Sequence, residues 1–296
     1  MPTESGPRRR PGHYCARVRL ILLGVRGSTP APGAEFVRYG GHTACVAVVP
    51  DGGDAPTLVL DAGTGLRSVT GMLGGGAYQG SIVVTHLHWD HVQGLPFFVA
   101  GDRPDSRVDL YVPAQGGRSG RDLLAAHMSP PSFPITPEGL LGTWGFHALE
   151  SGVHEVEGFT VCATDIAHKG GRTFGYRVSD GHSTVAYLPD HCPTALGPGP
   201  DGWGEYHPAA LGLASGADLL IHDAFLLAAE IPALARFGHA AAEYAAELGR
   251  RAGVAQVMLA HHKPERTDDQ LDEMAARFAA GPPRVTVGAE GRVLDL

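Results

Sequence analysis

SIVVTHLHWDHVQGLPFF, residues 81–98, sets three histidines and an aspartate into six consecutive positions behind a short apolar run. The run itself reads as a buried strand. His86 and His88 lie two apart, so in extended chain they point to the same side. Asp90 and His91 follow where the strand must stop and the chain turns. Two side chains from a strand end and two from the turn can surround a pair of metal ions. Neutral imidazole with carboxylate suits zinc, manganese or iron. The competing account is a chance cluster of surface histidines in a chain that has 16 of them. A HxHxDH match is too specific for that to be the better reading.

Outward from this stretch, apolar runs alternate with glycine-rich turns. RVRLILLGV, TACVAVVP, TLVLDAG and RVDLYVP read as strands in the first half. FTVCATDI, TFGYRVS, STVAYLPD, ADLLIHDA, QVMLAHH and RVTVG do so in the second. GRDLLAAHM, HAAAEYAAELGRRAG and DDQLDEMAARFAA read as helices, the last two with Ala or Leu at three-to-four spacing after turn signals. Strands between helical layers, in two halves with no long linker, predict an α/β sandwich as one domain over residues 16–296. Residues 1–15 read as a mobile tail, basic and proline-containing. Residues 129–139, SPPSFPITPEG, form a loop long enough to act as a lid or to pack against a second subunit of a homodimer.

Composition narrows the function classes. The chain is 43% hydrophobic, and no apolar stretch reaches the roughly 18 residues of a membrane helix. No signal-peptide core is present near the start, so the expected location is cytoplasmic. Cys15, Cys45, Cys162 and Cys192 are far apart and form no CxxC pair, which suggests reduced thiols. A formal net charge of -8 argues against a long nucleic acid as partner.

HLHWDH followed by VQGLPFF resembles the metal-binding motif of the metallo-β-lactamase superfamily. The likeness runs over roughly residues 18–296. GVRGSTPAPG with RYGGHTACV resembles the N-terminal strand pair of the phosphodiesterase-like branch, which includes ribonuclease Z. LVLDAGTGLRSV resembles its aspartate-glycine turn, IAHKGGRTFGYRV its third-histidine segment, and STVAYLPD and VMLAHHKP its last two ligand segments. The resemblance implies an αββα four-layer sandwich with two divalent metal ions, zinc first, manganese or iron as alternatives. His86, His88 and His168 would hold one ion, Asp90, His91 and His261 the other, and Asp190 would bridge. His262 is the alternative to His261. HKGG stands where the family has His-Pro-Gly-Gly, LPDHC where TDH is usual, and His42 where Asn is more frequent.

Two metals with open positions can lower the pKa of a shared water until it is hydroxide near neutral pH. Asp61, at the end of TLVLD, reads as a carboxylate orienting a ligand histidine, or as a turn cap. Gly63 and Gly65 read as permitting tight backbone. ADLLIHDAF and GHAAAEYAAELG resemble the branch's acid–histidine pair, here Asp223 and His239, with His239 at a helix start as proton donor to the leaving group. Trp89, Phe97, Phe98 and Phe133 read as candidates to line a substrate cleft, with core as the better reading of Phe97 and Phe98; His222 reads as structural, and His13, His127, His147, His154, His182 and His207 as surface. The expected activity is phosphodiester hydrolysis by a metal-bridging hydroxide, on cyclic or other small phosphodiesters. A lactonase or other carboxylic-ester hydrolase, and a tRNA-processing endonuclease of the ribonuclease Z type, are the alternatives. A non-catalytic metal-binding protein is a further one.

Overall fold

The strand runs alternate between two cores, and that alternation sets the architecture. In Leu219–Asp223, Leu219 and Ile221 point into one apolar cluster and Leu220 into another. In Gln256–Ala260, Val257 and Leu259 face one way, Met258 and Ala260 the other. A strand buried on both faces reads as continuous apolar sequence, which is why its residues carry no polar side. The computed structural model describes residues 18–296, so the tail expected at 1–15, with His13 and Cys15, lies outside the described residues.

The strands, in chain order, are β1 Arg19–Gly24, β2 Cys45–Val49, β3 Leu58–Leu60, β4 Gln79–Val83, β5 Arg107–Pro113, β6 Thr143–Leu149 and β7 Gly152–Val156. They continue as β8 Phe159–Asp165, β9 Phe174–Ser179, β10 Thr184–Leu188, β11 Leu219–Asp223, β12 Gln256–Ala260, β13 Arg284–Val287 and β14 Val293–Asp295. Two seven-stranded sheets result, ordered β14-β1-β2-β3-β4-β5-β6 and β13-β12-β11-β10-β9-β8-β7. The strands β3 to β6 pair in parallel, as do β10 to β13, and the remaining pairs are antiparallel.

Leu20, Leu22, Val46, Leu58 and Val83 of the first sheet meet Val161, Tyr176, Val185, Ile221 and Met258 of the second in the central layer. Helix Arg67–Met72 and helix Gly120–Ala125 cover the outside of the first sheet through Val69, Leu123 and Leu124. Helices Pro208–Ala214, Ala242–Ala252 and Asp268–Arg277 cover the second through Leu213, Tyr244, Leu248, Leu271 and Met274. This is the four-layer αββα sandwich that the resemblance implies, and it bears out the α/β sandwich read from the strand and helix patterns. No described helix is long and apolar enough to cross a membrane.

His147 and His154, read as surface, lie on β6 and β7, where TWGFHAL and GVHEV are strands of mixed polarity at the outer ends of the sheets. Two details differ from the sequence reading. Phe98 is buried, but Phe97 is 64% exposed, since the short turn Leu95–Phe97 sends the two rings in different directions. The helix expected from residue 239 starts at Ala242, with Ala241 as its extended N-cap. His239 therefore precedes the helix, next to the bridge Leu226↔Ala241, and its backbone does not offer a helix-terminal anion site.

Candidate metal centre

Parallel strands end at a common edge, and groups placed just past those ends converge there. Asp61 follows β3, His86 follows β4, Asp190 follows β10, Asp223 ends β11 and His261 follows β12. His88, Asp90 and His91 come from the turn and short helix Trp89–Val92, and His168 from the loop after β8. The backbone at this edge is held in left-handed conformations at Ser28, Asp61 and His261, with φ of 61°, 59° and 54°. Residues other than glycine adopt such angles at a cost, which persists where the surroundings over-determine them.

Four overlapping groups have ligand atoms mutually within 4.8 Å. They are His86–His88–His168, His86–His91–Asp190, Asp90–His91–His261 and His168–Asp190–His239. Asp190 joins the two sides of the cluster. Its Oδ2 lies 2.9 Å from His91 Nε2, and its Oδ1 lies 3.3 Å from His261 Nε2 and 3.5 Å from His168 Nε2. Asp90 Oδ2 lies 3.3 Å from His91 Nε2 and 3.6 Å from His261 Nε2, and accepts a hydrogen bond from Ser28 N at 2.7 Å.

The ring nitrogens facing away from this centre explain which ones face it. His91 Nδ1 donates to Asp61 Oδ2 at 2.7 Å, so Nε2 points inward. His168 Nδ1 donates to the Gly238 carbonyl at 2.9 Å, again leaving Nε2. Thr85 Oγ1 is committed as donor to Asp61, so it accepts from His86 Nδ1 at 3.1 Å and fixes Nε2 as the inward atom. Asp61 also accepts from the Tyr187 hydroxyl at 2.9 Å and from Thr85 N at 2.7 Å.

His261 stands against the carboxylates. His262 points elsewhere and donates from Nε2 to the Gly288 carbonyl at 2.9 Å. Gly27 makes room for His261, because a Cβ there would sit 2.3 Å from the imidazole. Gly63 and Gly65 have equally close backbone neighbours, Asp90 O and Leu23 O, each 2.3 Å from where a Cβ would stand.

The residues fit divalent metal on one observation above all. His86 Nε2, His91 Nε2, His261 Nε2 and Asp190 Oδ2 are buried and have no hydrogen-bond partner. Buried polar atoms are ordinarily paired, and a set of lone pairs aimed at shared points is what a cation satisfies. The titration of the groups follows their neighbours. Burial pushes His86 well down, and burial lowers His261. Burial would raise the Asp90 carboxyl, but His91 and His261 beside it hold it far below the usual carboxylate range. Burial opposes a proton on His91, yet Asp61, Asp90 and Asp190 around it lift its pKa well above the ordinary value. A cation at Nε2 competes with that proton.

Asp223 and His239 also come together. Asp223 Oδ2 accepts from His239 Nδ1 at 3.0 Å, from His191 N at 3.1 Å and from Ala240 N at 3.2 Å, while Oδ1 accepts from Phe225 N at 2.9 Å. The Phe225 ring stacks on His239 with centroids 4.3 Å apart. Burial pushes the His239 pKa down, but the Asp223 charge and hydrogen bond outweigh it and the net shift is upward. His222 is buried outside the metal cluster; its Nδ1 donates to the Asp223 carbonyl and its Nε2 accepts from His191 Nδ1. His42 lies beside Thr64 and joins none of the four groups.

The family model for the beta-lactamase superfamily domain matches residues 58–262, the span that carries these groups. The chain belongs to the metallo-β-lactamase superfamily. A ribonuclease Z from Salinibacter ruber is 27% identical to it over 95% of each chain. Among solved structures, a diphosphatase of the PhnP family superposes with a TM-score of 0.67 at 18% identity, over 95% of this chain and 98% of that one. The short form of human tRNase Z gives 0.62 at 20% identity, over 93% and 98%. Superfamily membership makes the protein a metal-dependent hydrolase, with its His/Asp clusters as the divalent-metal region.

Sequence reasoning missed Thr85, Tyr187 and Ser28, which orient the cluster. Thr85 sits directly before His86, and Tyr187 on the strand that leads to Asp190. Nothing local in the sequence separates their hydroxyls from ordinary strand residues.

Proposed function

We propose that the protein is a phosphodiesterase acting on small phosphodiesters, cyclic ones included. In this reading His86, His88 and His168 hold one zinc, Asp90, His91 and His261 hold a second, and Asp190 bridges. The set of neutral imidazoles and carboxylates, with no thiolate, suits zinc and accommodates manganese. Such a pair of cations supplies Lewis acidity and makes water a competent nucleophile near neutral pH. Asp61 fixes His91 in the tautomer that binds through Nε2.

The observation that carries the diester reading is the Asp223–His239 pair. Hydrolysis of a diester expels an alkoxide, and a protonated imidazole beside the leaving oxygen lowers that barrier. Asp223 holds Nδ1–H, which leaves Nε2–H as the proton to give. The Asp223 charge and hydrogen bond raise the pKa of that imidazole, which favours the proton it would give. Ring opening of a lactone also expels an alkoxide, so the pair favours the diester reading together with the ribonuclease Z relative rather than alone.

The test is turnover of bis(p-nitrophenyl) phosphate by zinc- and manganese-loaded protein, with Asp90→Ala as blank. His239→Ala should lower kcat by about 10²- to 10⁴-fold on a 2′,3′-cyclic nucleotide, which expels an alkoxide, and far less on bis(p-nitrophenyl) phosphate, whose p-nitrophenolate leaves unprotonated, while two metals remain bound. Loss of a metal in that variant would instead make His239 a ligand, the role its closeness to His168 and Asp190 also allows. Two bound metals with no diester turnover would transfer the reading to lactones and other carboxylic esters. A second reading, cleavage of precursor tRNA, is favoured by the ribonuclease Z relative. It predicts 3′ processing of a precursor tRNA at rates that exceed those on small diesters.

A further inference from the structure

The open side of the metal centre is a cavity of about 550 Å³ that reaches His88 and Asp90 and is lined by Gln115, Arg118 and His127. Trp89 and His127 also line an adjoining slot of about 180 Å³, whose other walls include Phe97, Met128 and Phe133. Phe97 and Phe133 meet edge to face, with centroids 5.8 Å apart. Trp89 is 73% exposed, so two large rings, Trp89 and Phe97, stand open to solvent around one small slot. Exposed apolar area concentrated beside a polar site marks a surface that a ligand covers.

Among the described residues, the mouth holds one cation with no carboxylate paired to it. Most arginines in the described chain face a carboxylate: Arg38, Arg107, Arg121, Arg172, Arg250 and Arg277 are paired with Asp or Glu. Arg118 makes no ion pair among the described residues; it donates only to the backbone carbonyl of Asp122 at 2.6 Å. Beside it, the Gln115 side-chain carbonyl accepts from Arg172 N at 3.3 Å, which leaves its NH₂ as a donor. A guanidinium with N–H groups to spare and an amide donor, in the cavity that reaches the metal residues, form an anion-binding pair.

We propose that this mouth selects a diester whose retained arm is a nucleotide. The flat base would enter the slot between Trp89, Phe97 and Phe133, and a second phosphate on that arm would engage Arg118. The inference rests on the phosphodiesterase reading and deepens it, because it names the arm that stays with the enzyme when the ester is cut. Arg118 would act on binding, through KM, since it touches the phosphate that does not react.

The test compares two product-like ligands, thymidine 3′,5′-bisphosphate and thymidine 5′-monophosphate, titrated by calorimetry into zinc-loaded protein. The bisphosphate should bind about tenfold more tightly, as one added charge-assisted contact implies. Arg118→Ala should remove that advantage, Arg118→Lys should keep part of it, and Phe133→Ala should weaken both ligands alike. Arg121→Ala, on the neighbouring helix and paired with Glu138, should keep the wild-type ratio. The p-nitrophenyl diesters of the same two nucleotides should show the same ratio in KM and similar kcat. Equal affinity of the wild type for the two ligands, or an advantage that survives Arg118→Ala, overturns the proposal. Absence of diester turnover alongside Arg118-dependent binding would break the hydrolysis reading and leave the nucleotide subsite standing.

Discussion

The two sheets support the metal centre by different means. On the first, the histidines of one short segment are held by hydrogen bonds: Asp61 and Thr85 fix His91 and His86, and Tyr187 reaches across from the other sheet to brace Asp61. On the second, His168 is likewise fixed by its bond to the Gly238 carbonyl, but His261 has no hydrogen-bond partner at either ring nitrogen. It is held by packing, stacked on His91 at 5.3 Å, near Phe225, and pressed against Gly27. Hydrogen bonds set a tautomer and a direction, whereas packing sets only a position. A ligand fixed by packing relies on the cation to finish its orientation.

The most drastic way to break this comparison is to remove what the two sides share. Asp190→Ala should strip both metals and reduce diester turnover to background, read as metal content per chain by atomic spectroscopy. Retention of two equivalents would show that the sides are independent. Next in size, Asp61→Asn should weaken metal binding about 10- to 100-fold, as loss of a carboxylate behind a ligand histidine does. Gly27→Ala tests the packing side, because the added methyl must displace the His261 ring. It should cost one metal of the two while the His86–His88–His168 side stays loaded. Loss of both metals in Gly27→Ala would mean that packing, too, supports the whole centre. The smallest effect belongs to Tyr187→Phe. Removing one buried hydroxyl that bonds Asp61 should cost about 1 kcal/mol in denaturant unfolding, with metal content unchanged. A large metal loss in that variant would show that the brace from the second sheet governs the first.

The contrast also explains what could be read in advance. The cluster from His86 to His91 is one local segment, and its spacing alone suggests metal. His168, Asp190 and His261 are single residues at separate loop and strand ends, assigned by resemblance to a family, and only the converging edge of the parallel strands brings them to the same point. The choice between His261 and His262 shows the limit well. Adjacent residues leave a strand end in opposite directions, and the turn with φ of 54° at His261 decides which one meets Asp190. His239 illustrates the opposite failure: its partner Asp223 was legible, but the helix expected to begin at it starts three residues later.

By itself, the sequence determined the layered α/β architecture, because short continuous apolar runs alternating with amphipathic helices allow few other arrangements, and it determined the chemical type of the centre through the ligands it carries. Tertiary structure alone decided which lone pairs face inward, which hydroxyls brace them, and that Arg118 and Gln115 line the approach to the site. Those outcomes depend on contacts between residues far apart in the chain, and no local pattern encodes the direction in which a side chain meets a distant neighbour.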